Sequence, residues 1–213
     1  MNGVFLTISL LLGTPTGVSG VQTSSVDTTA SDEALAELTT EQLIQNAQEA
    51  LLESKDATAR AALAMLRNRG ESIDPRFTFN EAVTAYRMGD YEQAQNLFQA
   101  ASELAQAQDN QELASSAAYN QGNAAYLDTM KSLEEGMPQQ TGESIKALES
   151  ARQRLEEVLN HYRGAFGRKQ DDSDARANAE LTWRRMQELL KQQEELEQQQ
   201  QQQQDQQQQD QQQ

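Results

Sequence analysis

Asn80-Glu-Ala-Val-Thr-Ala-Tyr86 returns 40 residues later as Asn120-Gln-Gly-Asn-Ala-Ala-Tyr126. Both stretches read Asn, Glu or Gln, a tiny residue, any residue, Thr or Ala, Ala and Tyr. Self-similarity at a period of roughly 20 to 50 residues is typical of stacked units that cannot bury their apolar faces alone. These two stretches, called the repeated phrase below, therefore predict a repeat architecture.

The first copy of the repeated phrase is followed by the elements of a helical hairpin. Gly89-Asp90 is suited to a turn, because glycine adopts the left-handed backbone that other residues resist. Ala94, Phe98 and Ala101 then follow at spacing i, i+4, i+7, which places them on one face of a second helix. The stretch that ends at Ala101 resembles a tetratricopeptide repeat (TPR).

In that repeat a tiny residue in the first helix lets the second helix approach closely. The resemblance gives this role to Ala82 and Gly122, each with a tyrosine four residues further on, at Tyr86 and Tyr126. It implies a short TPR-type helical solenoid of antiparallel helix pairs. No window alternates apolar and polar residues as a strand would, so the predicted fold is all-α, with a projecting C-terminal helix and disordered ends. The residues expected to be structural for the repeat are Ala82, Gly89, Ala94, Phe98, Ala101 and Gly122.

The second copy departs from the family pattern after Tyr126. A stretch with Gly136, Pro138 and Gly142 replaces the tight turn, and a helical pattern resumes only at Glu143. We therefore expect one regular repeat and one modified repeat that carries an insertion. In the modified repeat the inner face of the second helix would be formed by Ala151, Leu155 and Val158.

A third stretch, Asp171-Asp-Ser-Asp-Ala-Arg-Ala-Asn-Ala-Glu-Leu-Thr-Trp183, precedes a helix that ends in glutamine. The order of repeats, an Asp-x-x-Ala-Arg-x-Asn-x-Glu-Leu phrase and a Gln-rich tail is similar to that of exported TPR proteins of bacterial aerotolerance (Bat) operons. The resemblance extends from Phe77 to Gln213.

Residues 39–70 read as a further pair of helices that ends at Gly70. Leu43 and Ala47 lie on one face of its first helix, and Ala59 lies on a face of the second. The pair is either a decayed repeat or a capping hairpin.

The last helix has one predicted apolar stripe, formed by Ala179, Trp183, Met186 and Leu190. The folded body should therefore end near Leu190, with the helix projecting as a solvated arm. Sixteen of the last 23 residues are Gln, a composition typical of disorder, of β-type self-association or of coiled-coil pairing.

The predicted organisation is a signal peptide (1–20), a disordered linker (21–38), a helical domain (39–190, comprising 39–70, the regular repeat 75–108, the modified repeat 111–166 and the terminal helix 174–190) and a Gln-rich tail (191–213).

The N-terminal apolar run, Met1 to Leu12, is too short to span a bilayer core of ~30 Å as a helix. Gly13 and Pro15 break it, and Val18-Ser-Gly20 offers small side chains to a signal peptidase. We expect cleavage after Gly20 and an exported, periplasmic protein without a membrane span. No Lys or Arg precedes the run, so an uncleaved N-terminal anchor and an amphipathic N-terminus of a cytosolic protein remain alternatives.

The formal net charge of −16 disfavours binding to nucleic acid or anionic membranes, since phosphate backbones require clustered Lys and Arg. Partners with basic or apolar surfaces, or peptide segments, fit better. The chain has no Cys and one His, His161, so no metal site, cofactor or catalytic residue is expected and the protein is predicted not to be an enzyme. The acidic run from Asp171 to Asp174 precedes a helix and is expected to cap it.

The resemblance also implies a concave groove lined by the first helix of each repeat. Phe79 and Tyr119 occupy positions at which one subset of the family uses lysine to clamp a carboxylate, so an acidic C-terminal tail is not the expected ligand. The expected function is a non-enzymatic scaffold of the cell envelope that binds another protein, such as a von Willebrand factor A-type membrane protein of the aerotolerance set; the alternative is an envelope assembly factor or holdase chaperone. The expected peptide-binding residues are Phe79, Val83, Tyr86, Arg87, Tyr119, Asn123, Tyr126 and Leu127.

Overall fold

The fold is all-α, as the sequence predicts. The computed structural model describes residues 32–70, 74–138, 140–166 and 173–210, of which 89% are helical and none lies in a strand. The predicted signal peptide and residues 21–31 of the predicted linker lie outside the described residues, whereas residues 32–36 of that linker are helical. The helices are α1 (Asp32–Ala36), α2 (Thr40–Leu52), α3 (Asp56–Asn68), α4 (Pro75–Arg87), α5 (Tyr91–Ala107), α6 (Gln111–Gly136), α7 (Thr141–Phe166) and α8 (Ser173–Asp210).

Side-chain caps fix the beginnings of α2 and α4. The Thr39 hydroxyl accepts a hydrogen bond from the Gln42 amide at 3.3 Å, and the Gln42 side chain accepts one from the Thr39 amide at 2.8 Å. This reciprocal pair is a capping box, which satisfies two backbone donors that the helix leaves free. Asp74 caps α4 by accepting from the Arg76 amide at 2.9 Å, with Pro75 at the first helical position.

The described chain divides into two compact units. The amino-terminal unit comprises residues 32–121, and the carboxy-terminal unit comprises residues 122–210. The boundary falls inside α6, so this helix contributes its first part to one unit and its second part to the other.

In the amino-terminal unit, α2 packs on α3, α3 on α4, and α4 on α5. The core of its first hairpin is built from leucine and alanine. Its fully buried residues include Leu43, Ala47, Leu51, Ala59 and Leu63.

The α2–α3 turn and the α4–α5 turn are built alike at an offset of 35 residues. Ser54 and Gly89 both adopt a left-handed backbone, with φ of 57° and 78°. In each turn the next amide reaches back to a helix carbonyl: Lys55 N–H donates to Ala50 O at 2.8 Å, and Asp90 N–H donates to Ala85 O at 3.0 Å. Such bonds satisfy carbonyl groups at the end of a helix and set the direction in which the chain returns.

The buried positions recur at the same offset of 35 residues. Four buried residues of the first hairpin have a counterpart at this offset in the second, and all eight residues are at most 2% exposed. The 39–70 hairpin therefore has the same construction as the 75–108 hairpin. The matched pairs are Ala47 and Ala82, Ala59 and Ala94, Leu63 and Phe98, and Leu66 and Ala101.

In the carboxy-terminal unit, α7 and α8 pack along their length as an antiparallel pair. The buried side chains of α7 alternate at spacings of four and three residues, as they do in a coiled coil. Arg152 donates to the Gln193 side chain at 2.9 Å, and a Cβ added at Gly142 would lie 3.4 Å from Gln200 Nε2. The buried residues of this α7 face are Ser144, Leu148, Ala151, Leu155, Val158, Tyr162 and Ala165.

Two expectations about helix ends were wrong. The stretch between Tyr126 and Glu143 is not a long insertion loop, because α6 continues to Gly136 and α7 begins at Thr141. The body does not end near Leu190, because α8 remains beside α7 as far as Gln200 and is helical to Asp210. Both extensions consist largely of Gln, Glu, Leu, Lys and Met, which are good helix formers.

The apolar stripe expected on α8 was also assigned to the wrong face. The buried residues of α8 are Ala175, Asn178, Thr182 and Leu189, whereas Trp183 is 53% exposed. Asn178 and Thr182 can occupy the buried face because their polar groups are hydrogen-bonded there.

Exchanging the residues of the two matched turns should have opposite effects on stability. Ser54→Gly should raise the free energy of unfolding by roughly 0.5–1 kcal/mol, because glycine relieves the strain of a left-handed residue. Gly89→Ser should lower it by roughly 1 kcal/mol, and Gly89→Val by more, although no atom lies within 4 Å of a Cβ at that site. Urea unfolding of the three variants measures whether each substitution raises or lowers the free energy of unfolding. Equal effects of the Ser54 and Gly89 exchanges would contradict the matched turns.

Candidate protein-binding surfaces

Four of the expected groove residues lie in the amino-terminal unit as part of its packed interior. Phe79, Val83, Tyr86 and Tyr119 are each at most 5% exposed. The Phe79 ring meets the ring of Phe98 edge to face, with 5.3 Å between centroids. These side chains do not line an open groove in this structure, because α4 is buried from Thr78 to Tyr86 between its neighbours.

Tyr86 nevertheless keeps an unsatisfied polar group. Its ring packs edge to face on Tyr91, with centroids 5.5 Å apart. The Tyr86 hydroxyl is buried and has no hydrogen-bond partner among the described residues. Burial, followed by the proximity of Tyr91 and Tyr119, raises the pKa of this hydroxyl well above its usual value. An unsatisfied buried hydroxyl costs roughly 1–3 kcal/mol, which a hydrogen-bonding ligand group would offset.

Arg87, a further expected groove residue, lies at the surface and is engaged within the chain. Its Nη1 lies 3.2 Å from Asp56 Oδ1, so it ties the end of α4 to the start of α3. Arg60 makes a similar connection from α3 to Asp90 in the α4–α5 turn at 3.0 Å. Both ion pairs join the two hairpins of the amino-terminal unit.

Asn123, expected to be a groove amide, is instead the centre of a buried network in the carboxy-terminal unit. Its Oδ1 accepts hydrogen bonds from the Tyr162 hydroxyl at 2.9 Å and from Asn178 Nδ2 at 3.0 Å. All three residues are fully buried. The network joins α6, α7 and α8, so Asn123 holds helices together and cannot fix the backbone of a ligand.

Tyr126 and Leu127 are the expected groove residues of the carboxy-terminal unit that remain half-exposed. Burial raises the pKa of the Tyr126 hydroxyl; nearby Arg185 opposes this shift and Glu188 adds to it. An amphipathic aromatic ring, an adjacent leucine and charges of both signs therefore meet at this surface of α6 and α8.

The residues expected to be structural for the repeat occupy tightly packed or specially shaped positions. Ala82, Ala94, Phe98 and Ala101 are fully buried, and Gly89 has its positive φ. Gly122 lies beneath an aromatic ring that the sequence did not single out, since a Cβ added there would be 2.8 Å from Tyr162 Cε1. Ala151, Leu155 and Val158 are buried on α7.

Two further features were not expected from the sequence: the exposure of Trp183 and the burial of Glu81. Trp183 is a large exposed apolar side chain on α8. Glu81, which is 1% exposed, pairs through Oε2 with Arg67 Nε at 3.2 Å, while its Oε1 has no hydrogen-bond partner among the described residues. The sequence signal that could have singled out Glu81 is that both copies of the repeated phrase have Glu or Gln at this position.

The remaining side-chain chemistry is sparse. Burial lowers the pKa of His161 despite the opposing influence of Glu157. Within the described ranges no group of three His, Cys, Asp or Glu residues is placed to hold a metal ion. No helix there combines the length and apolar character needed to cross a membrane.

Comparison with known proteins supplies no relative. The chain matches no protein-family model, no curated protein and no solved structure.

Glu81 should make stability fall as the pH rises. Burial raises the pKa of its carboxyl above the ordinary 4.5, although Arg67 and Arg60 oppose the shift, so the folded protein binds this proton more tightly than the unfolded chain does. The stabilising contribution is complete below about pH 4.5 and is lost as the pH rises through the folded-state pKa. Urea unfolding of wild type and Glu81→Gln, at pH values below 4.5 and above the folded-state pKa, measures this contribution. We expect wild type to lose stability relative to Glu81→Gln as the pH rises, and a constant or growing advantage for wild type would contradict the assignment.

Proposed function

We propose that this chain is a non-enzymatic TPR-type protein that holds a partner protein. The observation that carries the proposal is the recurrence, at 35 residues, of a whole helical hairpin with its turn hydrogen bonds and its buried alanines. Stacked hairpins of this kind present extended surfaces for other proteins. The recurrence supports the proposal that α2 and α3 form a unit of the same kind as α4 and α5.

The contact surface differs from the groove expected from sequence, because the buried aromatic residues of α4 serve the interior. In the carboxy-terminal unit the better candidate is Tyr126 with Leu127, beside Arg185 and Glu188. Tyrosine is favoured at the centres of protein interfaces, since its ring supplies apolar area and its hydroxyl supplies a hydrogen bond. A partner that presents an apolar side chain flanked by polar groups fits this surface.

The proposed compartment and the proposed partner are inferred from the resemblance described above. The Asp-x-x-Ala-Arg-x-Asn-x-Glu-Leu phrase and the Gln-rich end favour an exported protein of the cell envelope. By the same resemblance, the partner is a membrane-associated protein of the von Willebrand factor A type. The acidic surface suits a partner whose docking face is basic or apolar.

Capture of partners from an envelope fraction tests this function. The bait proteins are wild type, the double variant Tyr126→Ala/Leu127→Ala, and the control Leu52→Ala, which removes an apolar side chain that is 66% exposed in the other unit. We expect one stoichiometric partner, bound at least tenfold more weakly by the double variant and normally by the control, because loss of two central contacts costs more than about 1.4 kcal/mol. Circular dichroism establishes that each bait is folded.

The other outcomes of the capture experiment count against the proposal. Many weakly bound clients that the double variant retains would indicate a holdase chaperone. Failure of every folded bait to capture a protein would contradict a scaffold in that compartment.

A further inference from the structure

Helix α8 carries a second apolar row beside the face that packs on α7. Ala179, Trp183, Met186 and Leu190 follow at i, i+4, i+7 and i+11, which places them along one side of the helix. Trp183 is 53% exposed, and the other three are half-buried. This set, called the outer row below, therefore has apolar area that the described residues leave uncovered.

The charge of α8 changes sign near the middle of the outer row. From Ser173 to Met186 the helix has three arginines against one Asp and one Glu, for a net charge of +1. From Gln187 to Asp210 it has one lysine against four Glu and two Asp, for a net charge of −5. The first half of α8 is thus slightly basic, and the second half is strongly acidic.

We propose that the outer row binds the outer row of a second copy of this chain, with the two α8 helices antiparallel. A two-fold axis near Met186 brings Trp183 of one copy against Leu190 of the other and Met186 against its own equivalent. The same operation sets Arg176 opposite the Glu194–Glu197 segment at both ends of the pair. A pattern that is complementary to itself after a two-fold rotation is what an isologous interface requires.

The charge distribution of α8 favours a second copy of the chain as the partner and an antiparallel arrangement of the two helices. A parallel pair would align the two acidic halves, and like charges placed side by side oppose association. The net charge of −16 makes two copies repel each other overall, so association requires local pairing of unlike charges, which the antiparallel arrangement supplies. The antiparallel arrangement overlaps residues 173–199, a segment of roughly 40 Å at 1.5 Å per residue.

The interface has limited size, which sets the expected affinity. Four modest apolar contacts on each helix bury less than the roughly 800 Å² per partner of a standard interface. We therefore expect a reversible dimer with a Kd of micromolar order. Trp183 is the natural reporter, because it is the only tryptophan of the chain.

Tryptophan emission and molar mass measured over a dilution series test the proposal. As the concentration rises, Trp183 emission should shift to shorter wavelength while the mass doubles from 23.7 kDa. Met186→Glu should weaken association at least tenfold, because it places two carboxylates at the axis while it keeps the reporter. Gln192→Glu is the matched control: it adds the same charge at an exposed position on the opposite side of the helix from Trp183 and should leave the transition unchanged.

Cysteine cross-linking tests the direction, since the natural chain has no cysteine to interfere. Met186→Cys alone should give a disulfide-linked dimer under mild oxidation. Arg176→Cys and Glu197→Cys should cross-link when mixed with each other and not when each is alone. Self-linking of both end variants would establish a parallel pair and overturn the arrangement.

A monomeric mass with unshifted Trp183 emission up to hundreds of micromolar would overturn self-association itself. Equal weakening of association by Met186→Glu and Gln192→Glu would show that the outer row does not form the interface. These outcomes are independent of partner capture through Tyr126 and Leu127, so each proposal can fail without the other.

Discussion

The close approach of paired helices at alanine and glycine is the constraint on which the rest of the structure depends. The chain is only 5% aromatic, and fully buried alanines such as Ala47, Ala59, Ala82 and Ala94 occupy the centres of its amino-terminal hairpins. A side chain of one carbon contributes little contact area unless the neighbouring backbone is close. Left-handed turns at Ser54 and Gly89 return the chain at a fixed register, so that these small residues lie in the buried interior of each hairpin.

The two copies of the repeated phrase use one position in chemically different ways. Val83 and Asn123 occupy the same place in the phrase, and both are fully buried. Asparagine at this place is tolerated because Tyr162 and Asn178 satisfy its side-chain oxygen. A buried network of this kind favours one arrangement of its helices, since any other leaves polar groups unsatisfied. Asn178 therefore has a structural role within the carboxy-terminal phrase that suggested the family resemblance.

Local signals predicted much of the fold, whereas features that depend on neighbouring elements were missed. The Gly89 turn and the Ala94, Phe98, Ala101 face were predicted because a left-handed turn and a helical face both depend on residues that are close together in the sequence. Burial of Phe79 and Tyr119 could not be predicted, because it depends on which helices cover the expected groove. The buried face of α8 was missed because Asn178 and Thr182 are polar by sequence and are buried only through hydrogen bonds that the fold provides. The lengths of α6 and α8 were underestimated because glycine, proline and low complexity were weighted above the helix propensity of Glu and Gln.

The free energy of unfolding of Gly122→Ala, measured beside that of Gly164→Ala, tests close helix approach most directly. Both glycines lie inside helices, so alanine should add about 1 kcal/mol of helix propensity at each. A Cβ at Gly122 would lie 2.8 Å from the buried ring of Tyr162, whereas one at Gly164 meets nothing within 4 Å. We predict that Gly122→Ala is less stable than wild type by about 1–3 kcal/mol and that Gly164→Ala is more stable. An equal gain in stability from the two substitutions would contradict the account.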